Sequence, residues 1–347
     1  VQRTPFNLIE GFEFGFLDTR ATINSNTLIE NTITYTFETG NHSFTLLGGH
    51  SYQETFFQQK RFELEGFADN GIEPRYQDQI STDVFPTTLT SDAYKNELQS
   101  FFGRVNYGYA DKYLITATMR ADGSSRFGEN NKYGYFPSVA FGWNINKESF
   151  MAENSLFNIL KLRASWGQTG NQDRIPSKVS LASYIDSKTE NDTYPIGGNE
   201  VSLADYPFGT VPVRTAFPTL QWEVTTQTNI GIDFGLFQNK LSGTLDYFNK
   251  VTSDVVNFSN RTDPIQPTEK IWTNLEDLEI KNTGIEIALD YLGSFTEDFT
   301  YKVVGNFNYT YNRVENSQFA VITTAAAQGA VQTGATINRY KKQDPIA

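Results

Sequence analysis

Hydrophobic and polar residues alternate one by one along much of this chain. Between Tyr113 and Asp122, the residues Tyr113, Ile115, Ala117, Met119 and Ala121 fall on one side, and Leu114, Thr116, Thr118, Arg120 and Asp122 on the other. A period of two places successive side chains on opposite faces of a β-strand. Tyr135 to Ile145 repeats the pattern, and a polar stretch rich in Gly, Ser and Asn joins the two. Each run is about ten residues long, against a usual five or six. Ten tilted residues are about what a β-strand needs to cross a bilayer.

The alternation recurs through the chain. Ile33, Tyr35 and Phe37 carry it, as do Phe44, Leu46 and Gly48, and Phe101 to Tyr109. It returns over Leu160 to Trp166, Val224 to Phe234, Leu241 to Tyr247, Ile285 to Tyr291 and Phe299 to Tyr309. About eleven strands are predicted, the first over Phe6 to Phe16. The charges keep to one side: Arg104, Arg120, Lys161, Arg163, Asp233, Asp246, Glu286, Asp290 and Lys302 all share the polar face of their strands. A cation facing lipid at the midplane costs about 2–4 kcal/mol, whereas a water-filled lumen accepts it. The pattern fits an all-β, antiparallel transmembrane β-barrel. It also fits a soluble β-sandwich binding module, in which the apolar face would be the core.

Connection lengths favour the barrel. Glu38 to His42, Ala110 to Lys112, Gln238–Asn239 and Gly293 to Asp298 are short. At the opposite strand ends lie connections of roughly 45, 30 and more than 50 residues, the longest between Gly167 and Trp222. Short periplasmic turns and long extracellular loops are the outer-membrane pattern. Asn146 to Asn158 is long for its side and has room for one helical turn. Aromatics near strand ends, among them Tyr107, Tyr109, Tyr113, Tyr133, Tyr135, Trp143, Trp166, Trp222, Tyr247, Phe248, Tyr309 and Tyr311, fit girdles at the two interfaces. Ordinary β-propensity enriches the same residues.

Composition narrows the function classes. The 347 residues carry a net charge of −12, which argues against nucleic acid as a partner. No apolar run approaches the roughly 18 residues of a transmembrane helix, and mean hydropathy is −0.44. A barrel gives the same average, because only alternate strand residues face lipid. Cysteine is absent and there are two histidines, His42 and His50, in no metal-ligand spacing. They read as a turn residue and a strand-end residue. Asp122–Gly123–Ser124–Ser125 lacks EF-hand spacing and a nucleophile elbow, and reads as a strand-exit turn. Gly167 to Gln172 is no phosphate loop, since no Lys-Ser/Thr follows its second glycine. It reads as strand exit. No catalytic residue, metal or cofactor is expected. Candidate ligand contacts are the aromatics of the longest loop, Tyr184, Tyr194, Tyr206 and Phe208, whose faces suit sugar or peptide recognition.

Several segments resemble one family. YADKYLITATMRADGSSRFGENNKYGYFPSVAFGWNINKESFM from Tyr109, LKLRASWGQTGNQ from Leu160 and WEVTTQTNIGIDFGLFQNKLSGTLDYFNKVTSDVV from Trp222 are similar to the barrels of SusC/RagA-type TonB-dependent outer-membrane transporters. IKNTGIEIAL and YKVVGNFNYTYNRV follow in the family's order. The resemblance runs from about Gln99 to Val314 and implies part of a 22-stranded barrel closed by a plug. It further implies a Gram-negative outer-membrane location, lipid around the wall, a SusD-like surface lipoprotein, and uptake of oligosaccharides or peptides. The TonB complex would act through the plug. Residues 1–347 read as one partial β-barrel domain without plug, TonB box or terminal strands, since Val1 to Glu10 has no signal-peptide pattern and an open barrel edge is not viable in lipid. An outer-membrane adhesin or barrel enzyme of another class is the alternative. The enzyme would need a histidine-containing set that is not evident around His50.

Overall fold

The computed structural model describes residues 2–3, 15–67, 86–154, 156–173, 175–177, 179–186, 210–214, 216–260, 270–275, 277–296, 298–315, 322–326 and 336–340. The strands are β1 Gln2–Arg3, β2 Gly15–Thr39, β3 His42–Phe67, β4 Pro86–Tyr109, β5 Tyr113–Ser124 and β6 Tyr133–Asn144. They continue with β7 Phe157–Asn171, β8 Ser183–Asp186, β9 Thr210–Arg214, β10 Glu223–Leu236, β11 Leu241–Ser253 and β12 Val255–Asn260. The last are β13 Lys270–Leu275, β14 Ile280–Thr296, β15 Phe299–Val314, β16 Ile322–Ala326 and β17 Thr336–Tyr340. One sheet of 11 strands has the order β1-β2-β3-β4-β5-β6-β7-β10-β11-β14-β15, and the remaining strands pair as β8-β9, β12-β13 and β16-β17 hairpins. Apart from these hairpins, each strand therefore pairs with its neighbour in sequence, as an up-and-down wall requires.

The chain divides into two compact units, Val1–Ile29 with Tyr52–Leu98, and Glu30–Ser51 with Gln99–Ala347. In the first, polar side chains bridge the strands. Arg61 donates twice to the Asp18 carboxylate, at 2.9 and 3.1 Å. Lys95 lies 2.7 Å from Glu54 and 2.9 Å from Glu97, and Phe57 stacks on Tyr94 at 4.9 Å. The connection read as roughly 45 residues of loop is thus largely strand, because β3 and β4 run on through it. Polar cross-strand pairs sustain pairing there, where strict apolar alternation has faded. The expected first strand, Phe6 to Phe16, lies mostly outside the described residues. Its last two positions belong to β2.

In the second unit, register sorts the residues into rows. Trp143, Leu162, Ile232, Leu245, Ile287 and Phe307 are successive partners across β6, β7, β10, β11, β14 and β15. Phe141, Ala164, Ile230, Tyr247, Ile285 and Tyr309 form the next row on that face. Most of these apolar side chains are exposed, with Ile230 50% and Phe307 59% accessible, while Trp143, Leu162, Ala164 and Ile287 are half-buried. A sandwich would cover this face; here it is largely bare, and on β10 and β11 the polar face is the more enclosed. On β15 the bare face reads Tyr301, Val303, Gly305, Phe307, Tyr309, Tyr311. The ten residue steps from Tyr301 to Tyr311 are about 34 Å of strand, or about 26 Å at a tilt near 40°, matching an apolar band of about 25 Å between aromatic girdles.

Tight turns gather at one end of these strands. Gly40 has φ +58°, Ala110 and Asp111 have φ 51° and 54°, and Phe237, Gln238 and Asn239 follow one another at 54°, 59° and 62°. Positive φ lets two or three residues reverse the chain. The longer connector after β6 holds two 3-10 turns, Ile145–Lys147 and Ser149–Met151, in place of one helical turn.

Candidate functional site

The enclosed face of the second unit is the surface able to meet a solute. Between the two apolar rows lies the row Gly142, Arg163, Gly231, Asp246, Glu286 and Asn308, with Asn144, Lys161, Asp233, Thr244, Ala288 and Asn306 next to it. Arg163 is the hub. Its guanidinium lies 2.7 Å from Asp233 and 2.9 Å from Asp246, so one cation spans β7, β10 and β11. The glycine in between makes this possible, since a Cβ on Gly231 would collide with the Asp246 Oδ1 and the Arg163 guanidinium. Lys302 lies 2.7 Å from Asp290, and Arg120 holds Asp122 at 2.8 Å and Ser100 Oγ at 2.9 Å while covering Phe102. Of the charges that alternation assigned to the polar face, Arg163 with Asp233 and Asp246, and Lys302 with Asp290, are thus brought together across strands, while Arg120 and Asp122 pair within β5. A polar, charge-bearing surface of this kind suits water and hydrophilic solutes.

Two clusters close the ends of this wall. At the tight-turn end, Glu148 accepts from the Tyr113 hydroxyl at 2.7 Å, Lys112 Nζ at 2.9 Å and Trp143 Nε1 at 3.1 Å. These hydrogen bonds, Tyr113's foremost, draw its carboxyl down to about 2. Rings continue from there as a belt: Trp143 on Tyr113, Tyr113 on Tyr109, Tyr109 on His42, and Phe44 between Tyr107 and Phe37. This belt brings together Tyr107, Tyr109, Tyr113 and Trp143, four of the aromatics expected at an interface.

At the opposite end, Trp222 packs on Phe127 at 4.8 Å and edge-on to Phe136 at 5.5 Å, and is only 7% accessible. Arg126 donates to the carbonyls of Gln172 and Ile175, Asn131 Nδ2 to Thr219 O at 2.9 Å, and Trp222 Nε1 to Lys132 O at 3.3 Å. These bonds tie the connection after β5 to both ends of the longest loop. Trp222 and Phe248 accordingly leave the girdle, because each is buried. Alternation places residues on faces but carries no signal for packing between loops. The glycines at 134 and 170 were the available sign, since a Cβ at either would strike the Phe136 ring.

Of the candidate ligand contacts, Tyr184 lies on the β8–β9 hairpin opposite Pro212 and is 63% accessible. Tyr194, Tyr206 and Phe208 lie outside the described residues. Asp122 to Ser124 are the last residues of β5 rather than a turn, and Asp122 and Ser124 are buried. Gly167 to Asn171 likewise remain in β7. His42 hydrogen-bonds Tyr107 at 2.9 Å, and His50, inside β3 rather than at its end, contacts Gln99 at 3.2 Å. Among the described residues no three acidic, His or Cys side chains gather as a metal set.

Comparison with known proteins agrees with this geometry. Residues 3–341 match the family described as TonB dependent receptor-like, beta-barrel. The chain is 33% identical over 295 residues to TonB-dependent receptor P3 of Formosa agariphila, covering 84% of this chain and 27% of that protein. It is 33% identical to TonB-dependent receptor SusC of Bacteroides thetaiotaomicron over 262 residues, 74% of this chain and 24% of that one. The chain thus spans about a quarter of the length of these relatives. A solved structure of the RagAB peptide importer in its open-open state superposes with a TM-score of 0.79 at 25% identity, over 98% of this chain and 34% of that one. These relatives are receptors and an importer, not enzymes. An apolar outer face, a charged inner face and this match over nearly the whole length agree, and the chain belongs to the TonB-dependent receptor β-barrel family, in its SusC/RagA-type branch.

Proposed function

We propose that this chain is a stretch of the barrel wall of an outer-membrane nutrient importer of a Gram-negative bacterium. The observation that carries the reading is the two-faced sheet of the second unit. Its bare rows, such as Ile230–Tyr247–Ile285–Tyr309, suit lipid, and its charged, more enclosed rows, such as Arg163–Gly231–Asp246, suit a hydrated path. In this reading the wall surrounds a plug, the TonB complex acts on that plug from the periplasm, and a SusD-like lipoprotein covers the outer mouth. The cargo is an oligosaccharide or a peptide too large for porins. The names SusC and RagAB peptide importer support the class of system without choosing between the two cargoes for this chain.

The test uses the full-length protein in its own cells. Deleting the gene is expected to abolish growth on one oligosaccharide or peptide source while leaving growth on the monomers intact. Affinity purification in mild detergent is expected to recover a surface lipoprotein in near-equal amount. Unchanged growth on every polymer, with no lipoprotein recovered, would refute the proposal.

A further inference from the structure

One row of the inner wall departs from the charge pattern around it. Register carries this row from Thr118 through Ser138, Gly167 and Gln227 to Lys250, Asn282 and Asn312. Arg104 joins it from β4, donating through Nε to Thr118 Oγ1 at 3.2 Å. The row thus holds two cations and no acid. The rows on either side of it, through Asn229 and Phe248 towards the tight turns and through Thr225 and Thr252 away from them, hold no acid either. Acids return two rows away, as Asp246 and Glu286 on the turn side and as Asp122 and Glu223 on the other. In a chain of net charge −12, this acid-free band is a local reversal of sign.

The two cations also differ in their partners from others on this face. Arg163 and Lys302 are engaged by acids on neighbouring strands. Among the described residues, neither Arg104 nor Lys250 has an acid partner. Lys250 is held by a ring instead, its Nζ 5.3 Å from the centroid of Phe248. Phe248 lies against its register partner Gly284, where a Cβ would strike the ring. An aromatic face attracts an ammonium without neutralising it, so Lys250 keeps its charge and its N–H donors for another group. Beside it in register stand the amides of Gln227 and Asn282, which make no side-chain hydrogen bond among the described residues. Arg104 and Lys250 lie five strand spacings apart, about 24 Å along the wall. We propose that this band is a binding site for an acidic oligosaccharide, whose carboxylates meet Lys250 and Arg104 and whose hydroxyls meet Gln227, Asn282 and the Ser and Thr between. This names the cargo class of the proposed importer and rests on that reading. An extended chain with several carboxylates can engage both cations, and a wall of one sign concentrates a solute of the opposite sign. Hydroxyls and primary amides both donate to and accept from sugar hydroxyls, and the row has no apolar side chain to receive those of a peptide.

The test is calorimetric titration of the full-length protein in a neutral detergent with short oligomers of galacturonic acid and of glucuronic acid. A maltooligosaccharide of equal length is the neutral counterpart, and an oligoglutamate the peptide counterpart. Folding of each variant is checked by the heat-dependent gel mobility of an intact barrel. One of the acidic sugars is expected to bind more tightly than the neutral sugar and to weaken with added salt. Lys250→Gln and Arg104→Gln are each expected to weaken it about fivefold, the upper end for a solvated ion pair. Lys147→Gln changes the net charge equally, but Lys147 sits at the tight-turn end beside Asp111 at 3.2 Å, and binding there is expected to stay at the wild-type level. Acidic sugars that bind no better than the neutral one, or that bind Lys250→Gln and Arg104→Gln like wild type, would overturn the site. So would an equal loss in Lys147→Gln. Tighter binding of oligoglutamate would overturn the sugar assignment. Growth of the deletion strain keeps the two readings apart: a defect confined to a neutral polymer would overturn the acidic cargo and leave the importer standing, whereas unchanged growth on every polymer refutes the importer itself.

Discussion

Leu245 and Thr244 are neighbours in β11 that the reading sends to opposite environments. Leu245 stands in the row Ile232–Leu245–Ile287, on the bare face, four residues above the tight turn at Gln238 to Lys240. At about 3.4 Å per residue and a tilt near 40°, that places it about 10 Å above the turn, well inside an apolar band of about 25 Å. Thr244 faces Asp233 across β10 and Ala288 across β14, on the enclosed face. An arginine at Leu245 must carry its charge into lipid, at a cost of about 2–4 kcal/mol near the midplane. An arginine at Thr244 stands opposite Asp233, which Arg163 already engages, and stays hydrated, so its effect is expected to lie within about 1 kcal/mol of zero. The measurement is denaturant unfolding of the full-length protein reconstituted in phospholipid vesicles, comparing Leu245→Arg and Thr244→Arg with wild type at matched slopes. Equal losses, or a larger loss for Thr244→Arg, would refute the assignment of faces and with it the transporter reading.

Three further outcomes follow from the site. Arg163→Met leaves Asp233 and Asp246 without their shared cation, and the same unfolding measurement should lose about 2 kcal/mol, between the values for exposed and for buried pairs; adding Asp246→Asn should restore part of it, and strict additivity would show that the three do not act together. Gly170→Ala drives a methyl into the Phe136 ring, which Trp222 backs; a loss of about 1–3 kcal/mol is expected from overpacking, with faster proteolysis of the loop between Gln172 and Trp222, and wild-type cleavage rates would argue against a fixed loop base. Glu148 has its carboxyl lowered from about 4.5 to about 2 by Tyr113, Lys112 and Trp143, so the stability it contributes is complete above about pH 4.5 and is lost as pH falls through that value towards 2; Glu148→Gln should flatten the acid limb of a stability profile over that window, and an unchanged limb would mean the cluster is not formed in solution.

Alternation alone was enough to place Arg163, Asp233, Asp246 and Glu286 on one face and Ile230, Leu245 and Phe307 on the other. Strand geometry has a strict period of two, so a side chain's face is settled by parity within its own strand. The positions of the tight turns at Gly40, Ala110–Asp111 and Gln238–Asn239 were legible for a related reason, since small and polar residues interrupt the pattern there. Alternation left open which face is bare, and the structure decided it by leaving the apolar rows uncovered. Register also lay beyond the sequence. Arg163 reaches Asp246 only because pairing aligns it with Gly231, and that alignment belongs to three strands together. The length of β3 and β4 was hidden because polar pairs such as Arg61–Asp18 can sustain strands without apolar alternation. Burial of Trp222 against Phe127 and Phe136 joins residues about ninety positions apart, and no local period encodes it. Local chemistry therefore determined strands, faces and turns, while the partners that give each charge its role were decided by tertiary pairing, because hydrogen-bond register and loop packing are properties of chains brought side by side.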